Sequence, residues 1–220
     1  MNHSYSPDYR PRGTLGQHLF AWLDSSGTAY DEATAARKRA LFSGLHGEVL
    51  EIGPGIGPNL KYYPADVHWL GVEPNPFMVP YLSKSIRELG RPVENYHIEP
   101  GDPQGIRLPA EDQSVDAVVS TLVLCSVPHP EDSLQEILRI LKPGGKFVFI
   151  EHVAAPPDSS QRRFQDFIQP CWSFVCGGCH PNRETWVSIR QAGFSQVELE
   201  HYNYPGGGLA GPHIAGSAVK

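Results

Sequence analysis

The chain has 220 residues, 40% hydrophobic and 19% charged, a composition that suits one globular domain. Net charge is -6 with a pI near 5.9, and the one basic run, Arg37-Lys38-Arg39, suits the solvated face of a helix, so nucleic acid is not expected as a partner. No run approaches the ~18 apolar residues of a membrane span, and the polar start MNHSYSPDYRPRG lacks the apolar core of an export signal. With four cysteines, a reducing, cytoplasmic setting with free thiols is expected.

Residues 1–30 are rich in Gly, Pro, Ser and Tyr, with one short helix over LGQHLFAWL, and read as a cap segment ahead of a domain spanning 31–220. A helical run from residue 31 should stop at Gly44 and Gly47. EVLEI (48–52) reads as a first strand and VHWLGV (67–72) as a second. PFMVPYLSKSIREL (76–89) has helical spacing, opened by Pro76 and tolerating Pro80 in its first turn. VENYHIE (93–99) and VDAVVSTLVL (115–124) follow as strands, then PEDSLQEILRIL (130–141) as an amphipathic helix. KPGG (142–145) turns into KFVFIE (146–151), a fifth strand. The alternation predicts an α/β fold, a mostly parallel sheet with helices on both faces. A helical insertion is expected over about 160–190, after which QVELEHYNY and HIAGSAVK pair as a terminal hairpin.

The most informative stretch is VLEIGPGIGPNL (49–60), where an apolar strand runs into Gly53, Gly55 and Gly57 and then Pro58. Glycines stand where a chain turns sharply and where a ligand comes close to the backbone. A strand, a glycine turn and a helix in that order bring backbone donors to the ligand. The spacing is not the G-x-G-x-x-G of dinucleotide sites, because position 58 is Pro and the third glycine comes early. Glu73, twenty residues after Gly53, ends the next strand, where an acid can accept hydrogen bonds from both hydroxyls of a ribose.

An acid before G-x-G-x-G with a second acid downstream resembles the class I S-adenosylmethionine (SAM) methyltransferases, whose fold is Rossmann-like with seven strands. LPAEDQSVDAVVSTLVLCSV and EILRILKPGGKFVFIEH are similar to that superfamily's fourth and fifth strand regions. TLVLCSV, LKPGGKFVFIEHVAA, NRETW and PHIAGSAVK are similar to its methyltransferase-like protein seven branch, which methylates small thiols. The resemblance puts Glu51, Gly53, Gly55 and Gly57 around the methionine part of SAM, Glu73 on the ribose, and Pro74 and Asn75 beside it. It puts Gln104 where an acid usually meets adenine, with Asp102 as the other candidate, and Thr121, Leu122 and Val123 along the sulfonium. It also implies a lid from the N-terminal segment, through His18 and Trp22.

Methyl transfer from a sulfonium is an in-line displacement in which the protein supplies alignment. A thiol with a pKa near ~8.5 is partly ionised at neutral pH and needs little base catalysis. The thiol-methylating resemblance thus implies a small thiol or hydrosulfide as the acceptor. The alternatives are O-, N- or C-methylation of an aromatic or quinone-like acceptor, or SAM binding without catalysis. His152, after the fifth strand, and Glu151, its last residue, are the candidates for a base or substrate contact, against a role in holding the loop. His129 reads as a helix-entry residue, and His213 as either a pocket or a strand-start residue.

CGGCH (176–180) has the C-x-x-C-H form of haem attachment, and Cys171, Cys176, Cys179 and His180 could supply four zinc ligands. Haem attachment of that kind follows export, and structural zinc prefers two separated pairs of ligands. The expectation is no metal, with thiols that are buried or that wall a substrate pocket. Phe164, Phe167, Trp172, Phe174 and Trp186 read either as the insertion's own core or as that pocket's apolar wall.

Overall fold

In the computed structural model, which describes residues 28–102, 107–176, 178–204 and 207–220, seven strands form a single sheet in the order β3-β2-β1-β4-β5-β7-β6. β1 (Glu48–Ile52) lies between β2 (His68–Glu73) and β4 (Val115–Thr121) and is parallel to both. β3 (Tyr96–Pro100) extends the sheet beyond β2, and β5 (Leu141–His152) extends it beyond β4. β7 (Pro212–Val219) runs antiparallel to β5 and to β6 (Gln196–Asn203), which makes the expected terminal hairpin.

The two faces divide the core by the period-two alternation of a strand. Val49, Ala117, Val119 and Val148 point to a cluster with Phe42, Leu60, Trp69, Leu82 and Ile86, under α1 (Thr28–Phe42) and α2 (Val79–Glu88). Leu50, Val118, Phe147 and Phe149 point to the other cluster, with Leu134, Ile137 and Ile140 of α3 (Pro130–Ile140). Central strands buried on both faces explain the near-continuous apolar runs in their sequences.

Several boundaries differ from the sequence expectation, each for a local reason. α2 begins at Val79 after Met78, with Pro80 in its first turn, where the missing N–H has no helical partner to lose. Pro76 lies ahead of it in a turn, where the Asn75 side chain accepts the Phe77 N–H at 3.1 Å. Residues Val93–Asn95 form a 3-10 turn, so β3 starts later than expected. β4 stops at Thr121 because Leu122 turns the chain with φ 58°. β5 starts at Leu141, before the expected turn: register jumps from Val115↔Leu141 to Ala117↔Lys146, and Lys142–Gly145 bulges out with Gly144 at φ 77°.

The basic run is not a solvated face. Lys38 is 1% exposed, its ammonium 2.7 Å from Asp31, which Lys61 and the Tyr62 hydroxyl also reach. The Arg37 guanidinium lies 3.7 Å over the Tyr202 ring and pairs with Glu200, so only Arg39 of the three is exposed. The expected insertion contains α4 (Ser160–Val175) and α5 (Thr185–Gln191). Phe164, Phe167 and Phe174 are 53%, 80% and 91% exposed, so they do not form the insertion's own core. Trp186 packs at the edge of the core, edge-on to His201.

Candidate active site

β1 ends at Ile52, and the chain turns through Gly53, Gly55 and Gly57 with φ of 58°, 56° and 85°. These left-handed conformations strain any residue with a Cβ. Packing reinforces the demand, since a Cβ on Gly53 would lie 2.8 Å from Val123 Cγ2 and one on Gly57 2.6 Å from Leu60 Cδ1. The Glu73 carboxylate, 4% exposed at the end of β2, accepts the backbone N–H of Gly55 at 2.9 Å and of Asn75 at 2.7 Å. The tip of the glycine turn is thus tied to the neighbouring strand end, and Pro74 and Asn75 follow directly.

Glu51 is a brace beneath the turn. It accepts Asn59 Nδ2 at 2.7 Å, the Tyr63 hydroxyl at 2.8 Å and Trp69 Nε1 at 2.9 Å. Burial pushes its pKa up, and those three donors oppose the shift. Asn59 Nδ2 also donates to Thr121 Oγ1 at 3.0 Å, joining the turn to β4, while Asn59 Oδ1 is buried without a partner.

At the neighbouring strand ends the Glu151 side chain, fully buried, accepts Ser120 Oγ at 2.6 Å and the Val123 N–H at 3.1 Å on one oxygen. Burial raises its pKa, and its second oxygen has no partner. His152 Nε2 lies 2.7 Å from Cys179 Sγ, which also accepts Trp172 Nε1 at 3.1 Å. Cys125 completes the group: its sulfur, the His152 nitrogen and the Cys179 sulfur all lie within 4.8 Å of one another. The Cys125 thiol, then His152 and Trp172, hold the Cys179 pKa down to about 4 against burial, while the same sulfur pair and burial push Cys125 well up. Cys179 is therefore the more readily ionised sulfur of the pair, because the Cys125 thiol and Trp172 Nε1 donate to it and His152 Nε2 does so in its Nε2–H form. Two sulfurs and an imidazole also form a donor set for a soft ion, but 2.7 Å is a hydrogen-bond distance, shorter than the ~3.5 Å that tetrahedral geometry sets between two ligands of one zinc.

His213, on β7, closes the same corner. Its Nδ1 donates to the Gly211 carbonyl at 2.9 Å, which leaves Nε2 as a bare, buried acceptor. The ring lies 5.6 Å from Tyr30, 5.3 Å from Tyr202, 5.8 Å from Tyr204 and 6.2 Å from His152. Burial pushes its pKa down to about 4, so it is neutral at physiological pH. His152 Nδ1 and Glu151 Oε2 are likewise buried without partners among the described residues, whereas the Tyr30 and Tyr202 hydroxyls face each other. Buried polar groups are normally paired, so such a concentration at the carboxyl ends of β4 and β5 marks where a polar ligand would sit. A surface cleft at the opposite strand edge, lined by Gly44, His46 and Lys142, is remote from these groups, and Lys142 there is held by both oxygens of Asp116.

The structure thus gathers Glu51, Gly53, Gly55, Gly57, Glu73, Pro74, Asn75, Thr121, Leu122, Val123, Glu151, His152 and His213 along one edge of the sheet. Asp102 follows β3, half-buried, while Gln104, His18 and Trp22 lie outside the described residues. His129 sits exposed ahead of α3 and makes no side-chain cap. Cys179 of CGGCH is buried and Cys176 half-buried, and His180 Nδ1 faces Arg183 at 3.3 Å; Cys171, ahead of the motif, is exposed. Sequence reasoning missed Cys125, Asn59, Tyr30 and Arg183, whose guanidinium clamps the Leu124 and Val127 carbonyls at 2.6 and 2.7 Å. Cys125 stood within TLVLCSV, but its partners come from β5 and the insertion.

Comparison with known proteins decides among the families this geometry allows. Residues 50–149 match the family described as methyltransferase domain. Thiol S-methyltransferase TMT1A of Homo sapiens is 39% identical over 201 residues, 87% of this chain and 81% of that protein. Thiol S-methyltransferase TMT1B of Rattus norvegicus is 42% identical over 194 residues, 84% of this chain and 79% of that protein. The chain belongs to this methyltransferase family. A SAM-dependent methyltransferase of Thermotoga maritima shares the fold at TM-score 0.64 and 21% identity, over 93% of this chain and 98% of that one. The enzyme is a SAM-dependent methyltransferase with a Rossmann-like, seven-stranded sheet. Among the described residues, no helix is long and apolar enough to cross a membrane.

Proposed function

We propose that this methyltransferase transfers the methyl group of SAM to a small thiol or hydrosulfide. The observation that carries the reading is the roughly 40% identity to two thiol S-methyltransferases across about four-fifths of their length. SAM supplies an activated methyl group on a sulfonium. The chain's residues fit such a ligand: positive-φ glycines keep side chains away from the turn, Glu73 is aimed by two backbone donors, and Asn59 Oδ1 is an unpaired buried acceptor nearby. Glu73 would hold the ribose with Pro74 and Asn75 beside it, Asp102 and Gln104 are the adenine candidates, and Thr121, Leu122 and Val123 would border the sulfonium. Residues 1–30 would cap the site.

The bases named from sequence support the thiol reading by their engagement. His152 is hydrogen-bonded to Cys179, and Glu151 is buried with one oxygen doubly occupied. A thiol acceptor needs alignment more than proton removal, whereas loss of a true base for a phenol or carbon acceptor would cost about 10²–10⁴-fold. The four free cysteines favour a reducing, cytoplasmic setting.

The test incubates the protein with SAM and a panel of small thiols, hydrosulfide, phenols and amines, with methylated products read by mass spectrometry. Thiols should be methylated, with a rate at subsaturating acceptor that rises with pH towards each acceptor's own pKa. Methylation of phenols or amines alone, or one fixed enzyme pKa whatever the acceptor, would replace this reading with the base-assisted one. SAM binding without any product would leave a binding protein.

A further inference from the structure

Two groups stand in this corner that methyl transfer to a thiol does not use: the Cys179 thiolate and the Cys125 thiol. Neither serves as a base for the acceptor. A sulfur drawn into its ionised form by Cys125, His152 and Trp172 is a poor proton acceptor from a thiol of pKa ~8.5, since an effective base titrates near the working pH. The same features make it a nucleophile that is ionised at neutral pH, beside a protonated second thiol.

We propose that Cys179 and Cys125 form a redox site: a peroxide oxidises Cys179, and Cys125 resolves the product into an intramolecular disulfide. Backbone geometry favours this pair. The His180 N–H donates to the Cys125 carbonyl at 2.8 Å, so the chain segments carrying the two cysteines already run side by side. Gly178, at φ 90°, admits this approach, because a Cβ there would lie 3.2 Å from the Ser126 carbonyl oxygen. The sulfurs, within 4.8 Å of each other, need side-chain rotation to reach the ~2.05 Å of a disulfide.

The chemistry balances. Cys179 sulfur attacks one peroxide oxygen; an S–O bond forms, the O–O bond breaks, and the leaving hydroxide takes the proton shared by Cys179 and His152. Cys125 sulfur then attacks the sulfenic sulfur; an S–S bond forms and the hydroxyl leaves with the Cys125 proton. Two thiols and one hydrogen peroxide give one disulfide and two waters. The bond would staple the loop after β4 to the insertion, and the site is independent of which acceptor the enzyme methylates.

The test treats the reduced full-length protein with hydrogen peroxide at pH 7, alkylates it and maps its peptides. The expected result is loss of two thiols per chain and a Cys125–Cys179 linked peptide, unchanged in Cys176→Ser. In Cys125→Ser, a sulfenic acid trapped by dimedone should accumulate on Cys179. Before oxidation, alkylation of Cys179 should change little between pH 6 and 8, where free cysteine accelerates roughly 70-fold. A Cys176–Cys179 link, four thiols surviving peroxide, or one zinc per chain shielding Cys125 and Cys179 would each overturn the proposal. The wild-type peptide map decides even if Cys125→Ser does not fold.

Discussion

A single carboxylate shows how residue chemistry sets this site. Glu73 sits at a strand end, almost buried, with its oxygens aimed by the Gly55 and Asn75 amides. In the proposed binding mode it gives charge-assisted bonds to the ribose, each class of bond being worth roughly 1.5–3 kcal/mol. Glu73→Ala should therefore weaken SAM binding about 10–150-fold by calorimetry. A thermal melt of the same variant separates a lost ligand contact from a loosened glycine turn. Unchanged affinity in a folded variant would remove Glu73 from the site. Glu51, the other acid of the motif, has a different position: Asn59, Tyr63 and Trp69 already occupy its oxygens. Sequence placed both acids at strand ends, but the side chains that hold Glu51 beneath the turn come from the 3-10 turn and β2 and were not legible there.

At the scale of elements, the glycine turn can be tested against a glycine elsewhere with the same backbone strain. Gly53 has φ 58° and a Cβ there would stand 2.8 Å from Val123; Gly90 has φ 68° with nothing within 4 Å. Gly90→Ala should cost only the left-handed conformation, about 1–2 kcal/mol. Gly53→Ala adds overpacking against Val123, about 1–3 kcal/mol more, and should melt several degrees lower. Equal melting temperatures would mean that the turn is shaped by backbone conformation alone. The elements themselves were largely readable, because buried strands, amphipathic α3 and the glycine turn are local patterns. The misreadings had nonlocal causes. Lys38 looked like a solvated residue until Asp31 paired with it, and the KPGG turn became a bulge because β4 holds Leu141 in register. The exposed phenylalanines of α4 fit no periodic pattern that marks them so.

Across the whole molecule, the candidate site is assembled from β1, β2, β4, β5, the insertion and β7, so its motifs were legible one by one while their pairings were not. CGGCH is the clearest case: the spacing pointed to Cys176 and His180, and folding instead set Cys179 against Cys125 and His152. The same convergence buries ionisable groups, and His213 gives it a measurable pH signature. Tyr30, Tyr202, Tyr204 and His152 surround the ring, with Arg37 adding a nearby positive charge, and burial holds its pKa near 4 against an ordinary ~6.5. As pH falls below ~6.5, the unfolded chain takes up a proton that the folded chain refuses, so stability is full above that value and drains away towards pH 4. Between pH 7.5 and 4.5 this one group accounts for about 2–3 kcal/mol. Buried Glu51 and Glu151, whose pKa values burial raises, act in the opposite direction, so the total slope of the wild type does not isolate His213. A difference does. His213→Phe keeps an aromatic ring among the tyrosines and cannot titrate; its urea-unfolding free energy should fall less than the wild type's between pH 7.5 and 4.5, by about that amount. Parallel pH dependences in the two proteins would show that His213 is protonated in the folded state, and that the corner around it is open to water.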